Sequence, residues 1–312
     1  MVPGFVNAHC HLELSHLKGK IKPGVGLSEF IAQVPKLRLR FADNQQKAMQ
    51  QSLRYMWEHG ISGAGDIMNE SASIALKSAS KIRTHNFVEL FGIGKKTDDE
   101  IITAGNEIIK AIIDSGLAGG ISPHSIYGGT QSLHDNIFQK NKSLVSVHFL
   151  ERQSELKFDL EKFLHSLYEL EQILLVHNVY LNRSVLETIL YKLDGTRIFW
   201  VLCPNSNLYI DNKLPDFDLF LQNNLQVCLG TDSLASNHQL SILEEMKMIT
   251  EHAEIDFETL LLWATLNGAK ALKMEEHLGS FEIGKSPGVA LLPGFDFKNN
   301  RILPQTQVER LV

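Results

Sequence analysis

Short apolar runs rich in β-branched residues return eight times along the chain, at 4–8, 60–66, 86–91, 119–122, 144–149, 173–177, 197–202 and 226–230. Longer amphipathic stretches lie between them, among them 44–58, 98–115, 159–170, 184–193 and 217–222. Strand alternating with helix predicts parallel βαβ units. Eight such units favour a closed (β/α)8 barrel of the TIM type over an open doubly wound sheet. No Gly-x-Gly-x-x-Gly follows the first run, which further weakens a dinucleotide-binding fold. Helical patterns follow the eighth run at 240–253 and 256–274. From Gly279 onward Gly, Pro and short apolar runs predict two or three strands appended to the barrel. The expected division is therefore an α/β barrel over residues 1–278 and a short β tail over 279–312. The chain opens almost on its first strand, so nothing is expected at the N-terminus to pair with that tail.

Length and composition agree with this class. The 312 residues exceed the roughly 250 that such a barrel takes. With 44% hydrophobic and 21% charged residues, the chain is neither disordered nor low in complexity. No apolar run reaches the roughly 18 residues of a membrane span, so no membrane partner is expected. Net charge is −6 without any cluster of Lys and Arg, which argues against nucleic acid. Met1-Val2-Pro3-Gly4-Phe5 has neither a basic nor an apolar signal region. Three scattered cysteines, Cys10, Cys203 and Cys228, read as reduced thiols. A cytoplasmic protein is expected, as a homodimer by base rate.

Barrels of this kind do their chemistry at the C-terminal ends of the strands. The predicted ends carry His9-Cys10-His11, Asp66, Ser122-Pro123-His124, His148 followed by Glu151, His177-Asn178, Cys203-Pro204-Asn205 and Gly230-Thr231-Asp232-Ser233, with Glu89 inside the third run. His9 and His11 stand two apart on a strand, so both rings face one side. Two imidazoles from the first strand, His148 from the fifth and the Asp232 carboxylate from the eighth make a set suited to one divalent ion, Zn2+ first, with Fe2+ or Mn2+ fitting the same mix. Glu151 lies too far past His148 to share its strand face, so the chain must turn there. It could then serve as a proton shuttle, or be a solvated carboxylate beside Arg152. His177 could bond the attacking oxygen or the substrate, and His124 could contact a bound ring. Asp66 and Glu89 are read as groups that support the ligands or the fold, and neither is assigned a catalytic role. His16, His59, His85, His134, His165, His238, His252 and His277 are expected mostly at the surface.

These motifs together resemble the metal-dependent amidohydrolase superfamily. The resemblance rests on Pro3-Gly4-Phe5-Val6-Asn7-Ala8-His9-Cys10-His11, Ser122-Pro123-His124-Ser125-Ile126-Tyr127, His148-Phe149-Leu150-Glu151, Val176-His177-Asn178, Cys203-Pro204-Asn205-Ser206-Asn207, Leu229-Gly230-Thr231-Asp232-Ser233-Leu234-Ala235-Ser236-Asn237 and Ala264-Thr265-Leu266-Asn267-Gly268-Ala269. It covers most of the chain. The Glu three residues after the strand-five His marks the mononuclear branch of adenosylhomocysteine, aminodeoxyfutalosine and guanine deaminases and triazine chlorohydrolases. The resemblance implies His9, His11, His148 and Asp232 as metal ligands, Glu151 and His177 as proton-transfer and polarising groups, Asp232 also contacting the activated water, and His124 as a substrate contact. It implies hydrolytic release of ammonia from an amino-substituted, purine-like or nucleoside-like small molecule. Leu12-Glu13-Leu14-Ser15-His16-Leu17 looks most like the aminodeoxyfutalosine side of the branch. A chlorohydrolase of the same branch and a non-catalytic barrel scaffold are the competing readings.

Three departures accompany the likeness. Relatives of this kind carry some fifty residues before the first strand, so a trimmed start and an incomplete tail sandwich are expected. The tail reads Gly284-Lys285-Ser286-Pro287-Gly288-Val289, without the Asp common there. No Glu stands in Gln33-Val34-Pro35-Lys36-Leu37-Arg38 to hold a ribose diol as in adenosylhomocysteine deaminases. Lys36, Arg38, Lys95 and Lys96 could meet a substrate carboxylate or be plain surface charges.

Overall fold

A computed structural model describes residues 1–92, 94 and 96–312. All eight predicted strands are present: β1 Phe5–Cys10, β2 Ile61–Met68, β3 Arg83–Leu90, β4 Ala118–Pro123, β5 Leu144–Phe149, β6 Gln172–His177, β7 Ile198–Leu202 and β8 Val227–Leu229. They form two parallel four-stranded sheets, β1–β4 and β5–β8. Two seams join the sheets into one barrel. At the first, the His148 amide donates to the His124 carbonyl at 2.9 Å. At the second, the Thr231 and Asp232 amides donate to the His9 carbonyl at 3.0 and 3.1 Å. β8 is short, so side chains carry that seam further: Asn7 and Thr231 exchange two hydrogen bonds, at 2.8 and 3.1 Å.

Alternation along the strands sorts the interior. Val6, Ala8, Leu174, Val176, Phe199 and Val201 pack with Phe87, Leu272, Met274 and Leu278 inside the barrel. Their neighbours Ile173, Leu175, Ile198 and Trp200 face outward against helix residues such as Leu186, Ile189 and Phe220. This period of two is what a strand dictates when both faces are covered.

One expectation about the termini is corrected. Val2–Pro3 pairs antiparallel with Val289–Leu291, which pairs with Glu309–Arg310. Two residues ahead of β1 are enough to make an edge strand, where proline's missing N–H costs nothing. Two helices also differ from their patterns. The stretch 256–274 is broken into Phe257–Ala264 and Leu266–Ala271, because Thr265 leaves helical geometry at φ −131°, ψ −87°. Helix Leu27–Arg40, which holds the stretch 33–38, runs through Pro35, and no amphipathic pattern had marked its bounds. No helix among the described residues is long and apolar enough to cross a membrane.

Candidate functional site

The polar strand ends converge at one rim. His11 Nε2 lies 3.2 Å from His9 Nε2, 3.3 Å from His148 Nε2 and 3.4 Å from Asp232 Oδ1. His9 Nε2 lies 3.8 Å from the same carboxylate oxygen. Four donor atoms at about 2.0–2.1 Å from a tetrahedral ion stand about 3.3–3.4 Å apart. The spacing of His9, His11 and Asp232, with His148 3.3 Å from His11, therefore suits a divalent metal, and so does the chemistry of the atoms. Burial holds the pKa of His11 down in spite of the nearby Asp232 charge, and burial with the surrounding imidazoles holds His148 well below the usual range. Neutral rings keep lone pairs for coordination. Burial works against the charge of Asp232 but is outweighed by the His9 hydrogen bond and the His11 and His177 rings, which keep its pKa well below the usual range.

Neighbouring groups set the orientation of two of the donors, His148 and Asp232. His148 Nδ1 donates to the His124 carbonyl at 2.9 Å, which turns Nε2 toward the cluster. The Ser206 and Ser236 hydroxyls donate to Asp232 Oδ2 at 2.6 and 2.7 Å, leaving Oδ1 for the cluster. Asn207 Nδ2 donates to His177 Nδ1 at 3.1 Å. His177 Nε2 then carries the proton and faces Glu151 Oε1 at 3.6 Å. Burial pulls the His177 pKa down to about 3. Glu151 is buried, and burial together with the Asp232 charge raises its pKa well above the usual range. Just past the strand ends, Leu150, His177, Asn178 and Asp232 all adopt positive φ, at 49°, 77°, 58° and 53°. Non-glycine residues rarely do so, and such strain gathers where function requires it.

The cluster opens into a cavity of about 640 Å³. His11, His124, His148, Glu151, His177 and Asp232 line its floor, and His9 lies fully buried beneath. Its other wall is apolar: Leu27, Phe30, Ile31 and Val34 of helix Leu27–Arg40, with Leu14 and Phe91. His124 donates from Nδ1 to Glu89 Oε1 at 2.6 Å, so its other nitrogen is free for the cavity.

Several residues stand elsewhere than their expected places. Asp66 is paired with the buried Lys77 Nζ at 2.7 Å and accepts from the Leu12 amide at 2.9 Å, outside the cavity. Glu89, read from sequence as a supporting or structural group, lines the cavity and orients His124. Arg38 borders the cavity but is bound to Glu13, Glu70 and Asn69. Lys36 and Lys96 are exposed, and Lys95 lies outside the described residues. Of the histidines expected at the surface, His16 and His134 are in fact buried, His16 in the turn after β1 and His134 on helix Gln131–Lys140, because both elements pack inward. Ser206, Asn207 and Ser236 stood within recognised motifs, but nothing in their spacing indicated which ligand each would hold.

Comparison with known proteins agrees with this architecture. The profile of the amidohydrolase family matches residues 1–306. A Helicobacter pylori adenosine deaminase is 26% identical over 96% of this chain and 80% of its own. The crystal structure of Helicobacter pylori aminofutalosine deaminase with methylthio-coformycin superposes with a TM-score of 0.82 at 24% identity, covering 93% of this chain and 78% of that one. Atrazine chlorohydrolase from Arthrobacter aurescens, complexed with zinc, superposes at 0.80 with 17% identity over 93% of this chain and 74% of its own. The two structural likenesses speak to the fold.

Proposed function

The chain belongs to the amidohydrolase family, and from that premise we propose that it is a metal-dependent hydrolytic deaminase that releases ammonia from an amino-substituted, nucleoside-like heterocycle. The observation that carries this reading is the convergence of His9, His11, His148 and Asp232 on one point, with Glu151 and His177 at its edge and an open cavity above. The four would hold one divalent ion, Zn2+ before Fe2+ or Mn2+. That ion would supply a water nucleophilic at neutral pH.

The protein's own groups do the rest. Glu151, buried and rich in proton affinity, carries a proton to a ring nitrogen and makes the adjacent carbon electrophilic. It then carries a proton to the leaving amine. Positioned acid–base groups of this kind contribute about 10²–10⁴-fold. His177, protonated at Nε2, donates toward the same region. His124, oriented by Glu89, meets the bound ring. The apolar wall excludes water and accepts the substrate's less polar end. The adenosine-deaminase relative supports a nucleoside substrate, and an aminodeoxyfutalosine-type nucleoside is the first candidate.

The test is ammonia release by zinc-loaded protein from aminodeoxyfutalosine, S-adenosylhomocysteine, adenosine and guanine. Selective turnover of one fixes the substrate. Silence on all four by protein carrying one metal per chain would sink the deaminase reading and point to another leaving group.

A further inference from the structure

The segment that presents Glu151 has an anchor outside the cavity. A strand cannot place His148 and Glu151 on one side, so the chain turns as soon as β5 ends. Leu150 makes the turn at φ 49°. This leaves the amides of Leu150, Glu151 and Arg152 pointing into one small buried space without carbonyl partners. The Glu155 carboxylate fills it. Its Oε2 accepts from the Leu150 amide at 2.8 Å, and its Oε1 accepts from the Glu151 and Arg152 amides, each at 3.1 Å. Glu155 itself is 2% exposed and lines no part of the site cavity.

Ordinary helix capping does not account for this. Glu155 is the third residue of the short 3-10 turn Gln153–Lys157, and a capping glutamate there needs to reach only the Arg152 amide. The other two bonds run back into the turn that carries Glu151. Three consecutive amides around one anion make a concave nest, and here the anion comes from the chain itself. An unfilled nest would leave three buried donors unpaired, a cost the segment can avoid only by unwinding toward water. The opposite side of the turn is fixed too: the Asn178 and Tyr180 amides donate to the Phe149 and Leu150 carbonyls at 3.0 and 2.9 Å. The turn is thus held between β6 and Glu155, and Glu151 is the side chain held in the middle.

We infer that Glu155 is a positioning residue for Glu151, setting the proton-carrying carboxylate without touching substrate. The inference rests on the proposed role of Glu151. Misplacing a reacting group by about 1 Å can cost about 100-fold. Glu155→Gln swaps one acceptor oxygen for an amide that faces N–H donors, and Glu155→Ala empties the nest.

The test measures kcat, KM, metal content and backbone hydrogen exchange of zinc-loaded wild type and both variants. Positioning predicts one metal per chain throughout and a KM within about threefold of wild type. It also predicts a kcat loss of about 100-fold and faster exchange confined to residues 149–156. Wild-type kcat in Glu155→Gln overturns the inference. So does faster exchange across the whole chain, which marks a merely structural role. Should the wild type release no ammonia at all, the functional reading falls and exchange alone judges Glu155. Local release at 150–152 then supports it, and unchanged protection there overturns it.

Discussion

The two ends of the barrel use the same eight strands differently. At the C-terminal ends, titratable side chains are buried and turned toward one another: His9, His148, Glu151, His177 and Asp232 are each at most 7% exposed. The backbone beneath them takes positive φ at four non-glycine residues. At the N-terminal ends, backbone and side-chain groups bond across the rim and apolar groups plug the opening. The Gly4 and Phe5 amides donate to Gly288 and Gly60 carbonyls. Arg310 donates to the Ile61 carbonyl and the Ser62 hydroxyl, and its guanidinium stacks over Trp57. Met274 and Leu278 close the barrel beside Val6. One end gathers titratable groups around an open cavity, and the other is closed by hydrogen bonds and apolar packing. A change at the upper end should therefore cost chemistry, and a change at the lower end should cost stability.

The largest effect is expected at Asp232. Asp232→Asn keeps the volume but puts an amide where two serine hydroxyls donate and one oxygen faces the imidazoles. Metal content should fall below about half an equivalent, and turnover by about 10⁴-fold or more, since the attacking water loses its activation. Metal analysis beside a rate assay checks this. A fully loaded, active variant would remove Asp232 from the proposed ligand set. Glu151→Gln comes next: metal retained, thermal midpoint within a few degrees of wild type, and kcat lower by about 10²–10⁴-fold. Wild-type turnover in that variant would mean that another group carries the proton.

The same contrast marks what could be read without coordinates. Strands and their polar ends were legible because each is local: apolar runs of four to seven residues, and side chains set by a period of two. His9, His11, His124, His148, Glu151, His177 and Asp232 were named from sequence, and the structure brings all seven to one rim. What holds them was not legible. Ser206 reaches Asp232 and Asn207 reaches His177 from the end of a neighbouring strand, contacts that exist only once the strands pair, and Ser236 reaches Asp232 only because the loop after β8 folds back over four residues. The cavity wall was legible only in part: the stretch 33–38 was matched to a substrate-facing position, but nothing in it showed that Leu27–Arg40 would turn Phe30, Ile31 and Val34 onto the cavity. The Val2–Pro3 strand was missed because its partner lies nearly the whole chain away.

At the lower end, Arg310→Ala should reverse the pattern seen at Asp232. It removes two hydrogen bonds and the stacking on Trp57, worth about 1–3 kcal/mol together. Denaturant unfolding should show that loss, while kcat, KM and metal content stay at wild type. A fall in kcat without a fall in stability would break the division between the ends.

The smallest effect at neutral pH is expected from His85, near the start of β3. Its Nε2 is shielded from water without a partner. Burial, helped by the Lys273 charge, lowers its pKa from 6.5 to about 4. The ring is thus neutral in the fold but takes a proton more readily when unfolded. Stability from this group is whole above about pH 6.5 and is lost as pH falls from 6.5 toward 4, because there the unfolded chain binds more protons. His85→Phe, beside Phe87, removes the group. With both proteins zinc-loaded, so that the rim histidines stay occupied, the midpoint of the variant should gain on wild type steadily as pH drops from 6.5 to 4. Above pH 7 the gap should be constant, and the pH profile of kcat should be the same for both. Parallel midpoints across the whole range would show that His85 meets water in the folded state. A shifted activity profile would show that the lower end of the barrel does reach the chemistry at the upper one.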